Sequence, residues 1–406
     1  SRVCREEQAP YCAPSFYAYQ ATTKFADNPA YALSGPATNS PYALAAAYLF
    51  AFAMADILRR ILKPSHAHLS SASTLLTWII RPALLGSSGF WLADWVHGLE
   101  QLDEATRSTF LVIKIWTARA VLFLLVAGAW YWYLSPLSLS VLREPTQKRD
   151  APPKVALLGF GNTFGAAFLL FTSLAFSLLF LLSQPMGQLA LSACFVAMVL
   201  IAELGDSERD ARLLAASKMP NAKDLSASPS HAPSFLEIVC IGLLGFVAFF
   251  STGHQATFTA IQWRVAFVGF PVVTYPWSPL FVVLNAFGPL SILPAFGVVL
   301  LTLWNVAPTR AKVQQEETGH VRPMRLPGDI LRSALGLLLY VGVLTWSAAL
   351  WAWFFRRHLM LFKIWVPRYM MAGLGLLITD VALLGAVAVA WWIAARTAKA
   401  FGTLYT

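Results

Sequence analysis

Residues 163–183 read "TFGAAFLLFTSLAFSLLFLLS" and contain no charged side chain. Wound as an α-helix at 1.5 Å per residue, the run is roughly 30 Å long, the thickness of a bilayer's hydrocarbon core. The alternation expected of a barrel strand is not seen. Working outward from this stretch, the sequence has apolar runs near 41–63, 72–95, 112–134, 163–183, 188–204, 235–251, 278–304, 330–354 and 370–393. The fifth and sixth are short, so their boundaries are soft. Backbone polar groups in lipid must be bonded within the segment, so the runs should be α-helices. The expected fold is an all-α polytopic transmembrane bundle of about nine spanning helices. Residues 1–40 form a leading segment, and 41–406 form the transmembrane domain.

Composition agrees. Of 406 residues, 57% are hydrophobic and only 12% charged, where soluble domains carry about 25% charged residues. So few polar groups could not cover a water-facing surface of this size. The net charge is +10. In a soluble protein that balance would suggest nucleic acid. Here the basic residues mostly sit in short loops between apolar runs, and no basic patch on a soluble module exists, so nucleic-acid binding is set aside. Residue 1 is Ser, and the first forty residues lack a basic flank followed by an apolar core. The chain therefore reads as a piece cut from a longer precursor, or a processed product.

Loop charge sets the expected orientation. With residues 1–40 on one side, the loops 64–71, 135–162, 205–234, 305–329 and the tail 394–406 lie on the other. Together with Arg59, Arg60 and Lys63 they carry seventeen Lys and Arg. The opposite loops after the first span carry six: Arg107, Arg264, Arg356, Arg357, Lys363 and Arg368. Positive residues are retained in the cytosol. The C-terminus is therefore expected in the cytosol and the N-terminal segment in the lumen or exterior. On that side, Cys4 and Cys12 in "CREEQAPYC" are expected to pair in an oxidising compartment. The alternatives are two free thiols or partners in an upstream segment.

The sequence offers no visible apparatus for chemistry. The seven His include no i, i+4 pair beside carboxylates, and no Cys/His cluster has zinc spacing. There is no G-x-S-x-G elbow and no lumenal carboxylate set for two metals. No catalytic residue and no metal ligand is therefore assigned. "GFGNTFG" (Gly159, Gly161, Gly165) is one residue too long for a dinucleotide fingerprint and follows no strand, so it reads as small residues that let helices approach. Several charges fall within spans, and six of them lie at depths that suggest pairs: Asp56 with Arg81, Asp94 with Lys114, and Arg119 with Asp380. They are read either as ion pairs that hold the bundle or as a polar path for a head group or ion.

Two loops on the lumenal side stand out. After the sixth span comes "STGHQ", where Gly253 can end the helix in a left-handed conformation. Thr252, His254 and Gln255 are then free for a polar ligand, the alternative being that His254 and Gln255 merely cap the sixth helix; Trp263 belongs at the interface, and Arg264 would meet phosphate. The other loop, "RRHLMLFKIWVPR" (356–368), places Arg356, Arg357, His358, Lys363 and Arg368 on the wrong side for the retention rule. Phosphate is the expected reason, with Pro367 breaking the segment before the last helix.

These stretches carry a resemblance. "STGHQATFTAIQWRVAFVGF" (251–270), "RRHLMLFKIWVPRYMMAGLG" (356–375) and "CREEQAPYC" (4–12) resemble, in order, segments of the glycosylphosphatidylinositol (GPI) ethanolamine phosphate transferases of type 3. Between these motifs the match is mainly hydropathy. The resemblance implies a multi-pass enzyme of the endoplasmic-reticulum membrane. It would move phosphoethanolamine from phosphatidylethanolamine to the third mannose of a GPI precursor. In the family a lumenal alkaline-phosphatase-like domain with two zinc ions and a Thr nucleophile precedes the matched region, and none of it is in this sequence. A small stabilising membrane subunit is also implied. Asp380 departs from the family, in which a small polar residue can stand. The chain is then expected to bind lipid substrates and to be inactive alone. The competing reading is a lipid or ion transporter with an intramembrane charged site, motivated by Arg81, Arg119 and Asp380.

Overall fold

A computed structural model of the chain describes residues 41–99, 102–144, 154–217, 232–254, 261–308, 326–357 and 365–404. Cys4 and Cys12, Gln255, His358 and Lys363 lie outside them. The described part is a bundle of α1 (Pro41–Leu62), α2 (Ser71–His97), α3 (Glu104–Leu134), α4 (Thr163–Leu182), α5 (Pro185–Ser217), α6 (Phe235–Ser251), α7 (Trp277–Leu303), α8 (Leu326–Phe354) and α9 (Val366–Leu404). Eight of these are long and apolar enough to cross a membrane, and α6 is a shorter apolar helix of 17 residues. The fifth run, short by hydropathy, belongs to a helix of 33 residues. Its last turns, "GDSERDARLLAAS", are polar and leave the apolar layer.

Local chemistry explains the helix ends and irregularities. Asp103 caps α3 by accepting the Thr106 N–H at 3.3 Å. Ser234 and Glu237 form a reciprocal capping box at the start of α6, satisfying two of the amides a helix N-terminus leaves free. Gly253 closes α6 with φ +86. Helices α2 and α7 each contain a π turn, Leu76–Ile80 and Gly288–Ile292. Pro82 follows the first, while Pro289 lies within the second and Pro294 follows it. A proline removes an amide donor and crowds the preceding turn, so the ladder slips there.

Helices α4 and α7 form the centre, with 83% of their apolar windows inside the bundle. For α3 and α8 only 17% is inside. The outer helices expose apolar stripes instead: Val112, Trp116, Phe123, Val126 and Trp130 on α3, and Leu331, Leu335, Leu339, Val343, Trp346 and Leu350 on α8. Contiguous apolar faces of that extent suit lipid, not water. Two buried indoles donate to carbonyls across the bundle: Trp91 to Leu181 O at 3.0 Å and Trp132 to Ala167 O at 2.9 Å.

The loops sort into two ends. At one end Ser71 Oγ donates to Leu137 O (3.1 Å), the Asn305 N–H to Asn162 Oδ1 (3.0 Å), Asn305 Nδ2 to Asp206 Oδ2 (2.6 Å), and Phe160 packs edge-on against Phe401. At the other, Asn285 Nδ2 donates to Leu182 O (2.8 Å), Gln262 Nε2 to Thr252 O (2.9 Å), and Arg264 comes within 4.0 Å of Asp94. The described connections thus alternate between the two ends, so each helix runs from one end to the other.

A two-stranded antiparallel hairpin, β1 (Ser140–Glu144) paired with β2 (Lys154–Leu158), lies in the 135–162 connection and places a strand directly before "GFGNTFG", where none was expected. "SVLRE" and "KVALL" are short β-prone runs whose signal was submerged by the apolar helices around them. The glycines that follow do not act as one motif. Gly159 turns left-handed (φ +86) and Gly161 faces open space. Gly159 also lies tight against the Ser138 carbonyl, and at Gly165 a Cβ would stand 2.9 Å from the backbone of Leu303 and Trp304.

Candidate functional site

The end that carries loops 252–276 and 355–365 holds both stretches that sequence singled out, and they differ in kind. The "TGHQ" region is turned inward. His254 is 2% exposed, Thr252 5% and Asn285 2%. The imidazole stacks on Phe249 with ring centroids 5.2 Å apart. Its Nε2 lies 3.0 Å from Asn285 Oδ1 and its Nδ1 lies 2.9 Å from Thr252 Oγ1. Because Asn285 Nδ2 donates to Leu182 O, its Oδ1 is the acceptor. We therefore assign the proton of a neutral ring to Nε2, with Nδ1 accepting from the Thr252 hydroxyl. Burial pushes the His254 pKa down to about 4, against a smaller upward pull from Asn285.

This corrects the head-group collar expected of Thr252 and His254. Loss of solvation makes a buried imidazole costly unless both nitrogens are paired. Here both are paired inside the protein, tying α6 to α7 and, through Leu182, to α4. Gln188 Nε2 joins the knot by donating to Phe180 O (2.9 Å). The Oε1 atoms of Gln188 and Gln262 are buried without a partner. Asn285, Gln188 and Gln262 were missed as partners. A lone amide inside an apolar run, as in "LFVVLNAFG" and "PMGQLAL", was the available signal.

The second stretch borders a cleft. A cavity of about 110 Å³ opens between α6, α7, α8 and α9. Phe249, Leu290, Pro294, Val341 and Met371 are among its apolar walls. Its few hydroxyls are spent on the helices: Ser291 Oγ on Gly375 O (3.2 Å), Thr379 Oγ1 on Gly375 O (2.7 Å) and Thr345 Oγ1 on Ala372 O (3.2 Å). Arg368 contributes the cationic group of the lining. Its guanidinium lies over Trp365, 5.4 Å from the ring centroid. No ion pair engages it among the described residues. Trp365 in turn stacks on Phe355 (4.7 Å) and Trp351 (5.9 Å), joining the end of α8 to the start of α9. Arg356 and Arg357 are exposed at the end of α8, Arg356 over Trp353. Pro367 stands within the first turn of α9 and does not precede it, where its missing N–H costs nothing.

The intramembrane charges divide. Asp56 pairs with Arg81 and, at 3.4 Å, with Arg59. Arg59 also donates to Thr77 Oγ1. Asp94 pairs with Lys114 at 2.9 Å. Arg119 does not pair with Asp380. Its Nε donates to Gly269 O at 2.9 Å, and its guanidinium lies near the Trp116 and Phe270 rings. A carbonyl and two π faces satisfy it where a carboxylate was expected. Among the described residues no three His, Cys, Asp or Glu come together to hold a metal ion. The zinc sites implied by the resemblance do not fit these residues, and no step is assigned to them.

Comparison with known proteins agrees with the sequence resemblance. The chain is 28% identical over 383 residues to "GPI ethanolamine phosphate transferase 3" of Eremothecium gossypii, covering 94% of this chain and 32% of that protein. It is 27% identical over 383 residues to the protein of the same name in Saccharomyces cerevisiae, covering 93% and 32%. It is 28% identical over 285 residues to "GPI ethanolamine phosphate transferase 3, catalytic subunit" of Homo sapiens, covering 64% and 25%. The chain thus spans about a third of the length of the two fungal relatives. No family model matches it, and no solved structure does. The chain is similar over most of its length to proteins named GPI ethanolamine phosphate transferase 3, and it is a multi-pass helical membrane protein.

Proposed function

We propose that the chain is the membrane region of an endoplasmic-reticulum phosphoethanolamine transferase of GPI-anchor biosynthesis. Its part is to hold lipid substrates in the cleft between α6, α7, α8 and α9. The observation that carries this reading is an apolar cleft lined at one side by Arg368, in a chain similar to such transferases over nearly its whole length. An acyl chain suits the walls, and a lipid phosphate suits the guanidinium, which offers two parallel donors to its oxygens.

In this reading the donor is phosphatidylethanolamine and the acceptor is the third mannose of a GPI precursor. The exchange breaks the P–O bond to the lipid glycerol and forms one to a mannose hydroxyl oxygen. The hydroxyl proton passes to the leaving glycerol oxygen, so diacylglycerol is released. The bundle's contribution is positioning: it fixes the tails and presents the phosphate at the membrane surface, which lowers the entropic cost of reaction. The catalytic zinc domain lies outside these residues, the 252–276 end faces the lumen, and a small membrane subunit packs on the bundle. The described charges give a transport path little support, since they cluster at separate helix pairs and no chain of them crosses the bundle.

Filling the cleft tests the reading. In the complete enzyme Ala372→Phe should lower transfer to the GPI precursor while protein abundance holds. Unchanged transfer would reject the cleft as the lipid site. The 406-residue chain alone, free of other proteins, should show no transfer, and measurable turnover would contradict the assignment of chemistry to another domain.

A further inference from the structure

The cleft does not account for a second group of cations on the opposite flank of the same end. The segment Trp263–Phe267 packs on the start of α7, and Gly269 after it lies against α3. Arg119 Nε pins that segment through Gly269 O. Gly269 has φ +78, and its α-carbon stands close enough that a Cβ would contact Arg119, Ala118 and Leu122 within 3.8 Å. Val265 and Val268 are buried beneath. The Gly269 carbonyl, part of irregular backbone against α3, is thus satisfied by Arg119, as a carbonyl inside a membrane protein must be.

Charge does not balance there. Asp94 is shared by Lys114 at 2.9 Å and Arg264 at 4.0 Å. Arg119 has no acidic partner among the described residues. Three cations therefore stand against one carboxylate. Arg264 is about half exposed, and Arg119 lies on the lipid-facing side of α3 beside Trp116, which is 63% exposed. With its Nε committed to Gly269, Arg119 keeps both terminal amino groups, a fork matched to two phosphate oxygens.

We propose that the edge formed by α3 and the 263–270 segment binds the phosphodiester of a glycerophospholipid, held by Arg119 and Arg264. The site is separate from the Arg368 cleft and stands whether or not the cleft is a substrate site. Membrane phospholipid is the occupant because the edge faces lipid, carries surplus positive charge and is bordered by an exposed indole of the interfacial kind.

The test uses purified protein carrying Arg368→Gln, so that the cleft's cation contributes nothing. Dioleoylphosphatidylethanolamine, dioleoylphosphatidylglycerol and dioleoylglycerol are titrated in detergent, and bound lipid is counted by native mass spectrometry. Adding Arg119→Gln should weaken retention of the first phospholipid about tenfold, the scale of a lost charge-assisted hydrogen bond. Arg264→Gln, at an exposed position that leaves the fold intact, should weaken it several-fold, and dioleoylglycerol should not be retained. Equal retention in both variants would overturn the proposal. So would retention of dioleoylglycerol as tight as that of the phospholipids, or displacement of the bound phospholipid by inorganic phosphate.

Discussion

His254 and Arg368 lie at the same end of the bundle, on loops that the sequence made equal candidates for binding lipid. The structure treats them in opposite ways. His254 is buried, with each ring nitrogen facing one internal partner and no donor or acceptor to spare. Arg368 is half-buried against a cleft, with an aromatic face as its neighbour and no hydrogen bond or ion pair from its donors among the described residues. Residue type and loop position do not separate a structural polar group from one that can bind. Spare hydrogen-bonding capacity at an accessible surface does.

The comparison breaks most readily at Asn285. Asn285→Ala orphans His254 Nε2–H and Leu182 O together, at a cost of about 2–4 kcal/mol. The thermal midpoint and cellular abundance should fall steeply, while transfer per surviving molecule stays near normal. A stable Asn285→Ala protein would show that the knot does not hold α4, α6 and α7.

Acid gives the next effect. The folded pKa of His254, about 4, lies below the ordinary value of 6.5. The unfolded chain therefore takes up a proton first as pH falls. Stability from this group is fully present above pH 6.5 and is lost progressively down to about pH 4, by up to ~3 kcal/mol. Denaturation midpoints measured across that window should decline less in His254→Gln than in the parent. Equal slopes would mean the imidazole is not held neutral.

A smaller loss is expected at the ion pair. Lys114→Met leaves Asp94 with only Arg264 at 4.0 Å, and should cost about 1–3 kcal/mol of thermal stability. Exchanging both members for apolar residues, Lys114→Met with Asp94→Leu, should recover much of that loss. Smallest of all, Arg357→Gln at the exposed end of α8 should change abundance by no measurable amount and transfer by less than about twofold, since exposed charges gain little from any one partner.

Much of the fold was legible because hydropathy fixes a membrane helix almost alone. The runs near 163–183 and 278–304 correspond to α4 and α7. The hairpin Ser140–Glu144 with Lys154–Leu158 was not legible. Ten residues of ordinary β propensity give no signal beside such helices. At the site, the pairing of Asp94 with Lys114 followed from depth, since two charges at one level in lipid gain by meeting. Arg119 and Asp380 shared a depth too, but a carbonyl on a distant loop and two aromatic rings, none of them charged, took Arg119 instead. The fate of His254 was hidden for the same reason. It depended on Asn285, thirty-one residues away, whose amide reads as an accident of an apolar helix until the helices are packed.

The account rests on Arg368 acting on lipid and His254 acting on structure, so the decisive measurement is transfer of phosphoethanolamine per molecule of complete enzyme for Arg368→Gln and His254→Ala side by side. Arg368→Gln should keep normal abundance and lose about tenfold in transfer, the scale of one charge-assisted contact to phosphate. His254→Ala should lose abundance and keep its transfer per molecule. A fall in abundance for Arg368→Gln with undiminished transfer per molecule, or a loss of transfer for His254→Ala at normal abundance, would contradict it.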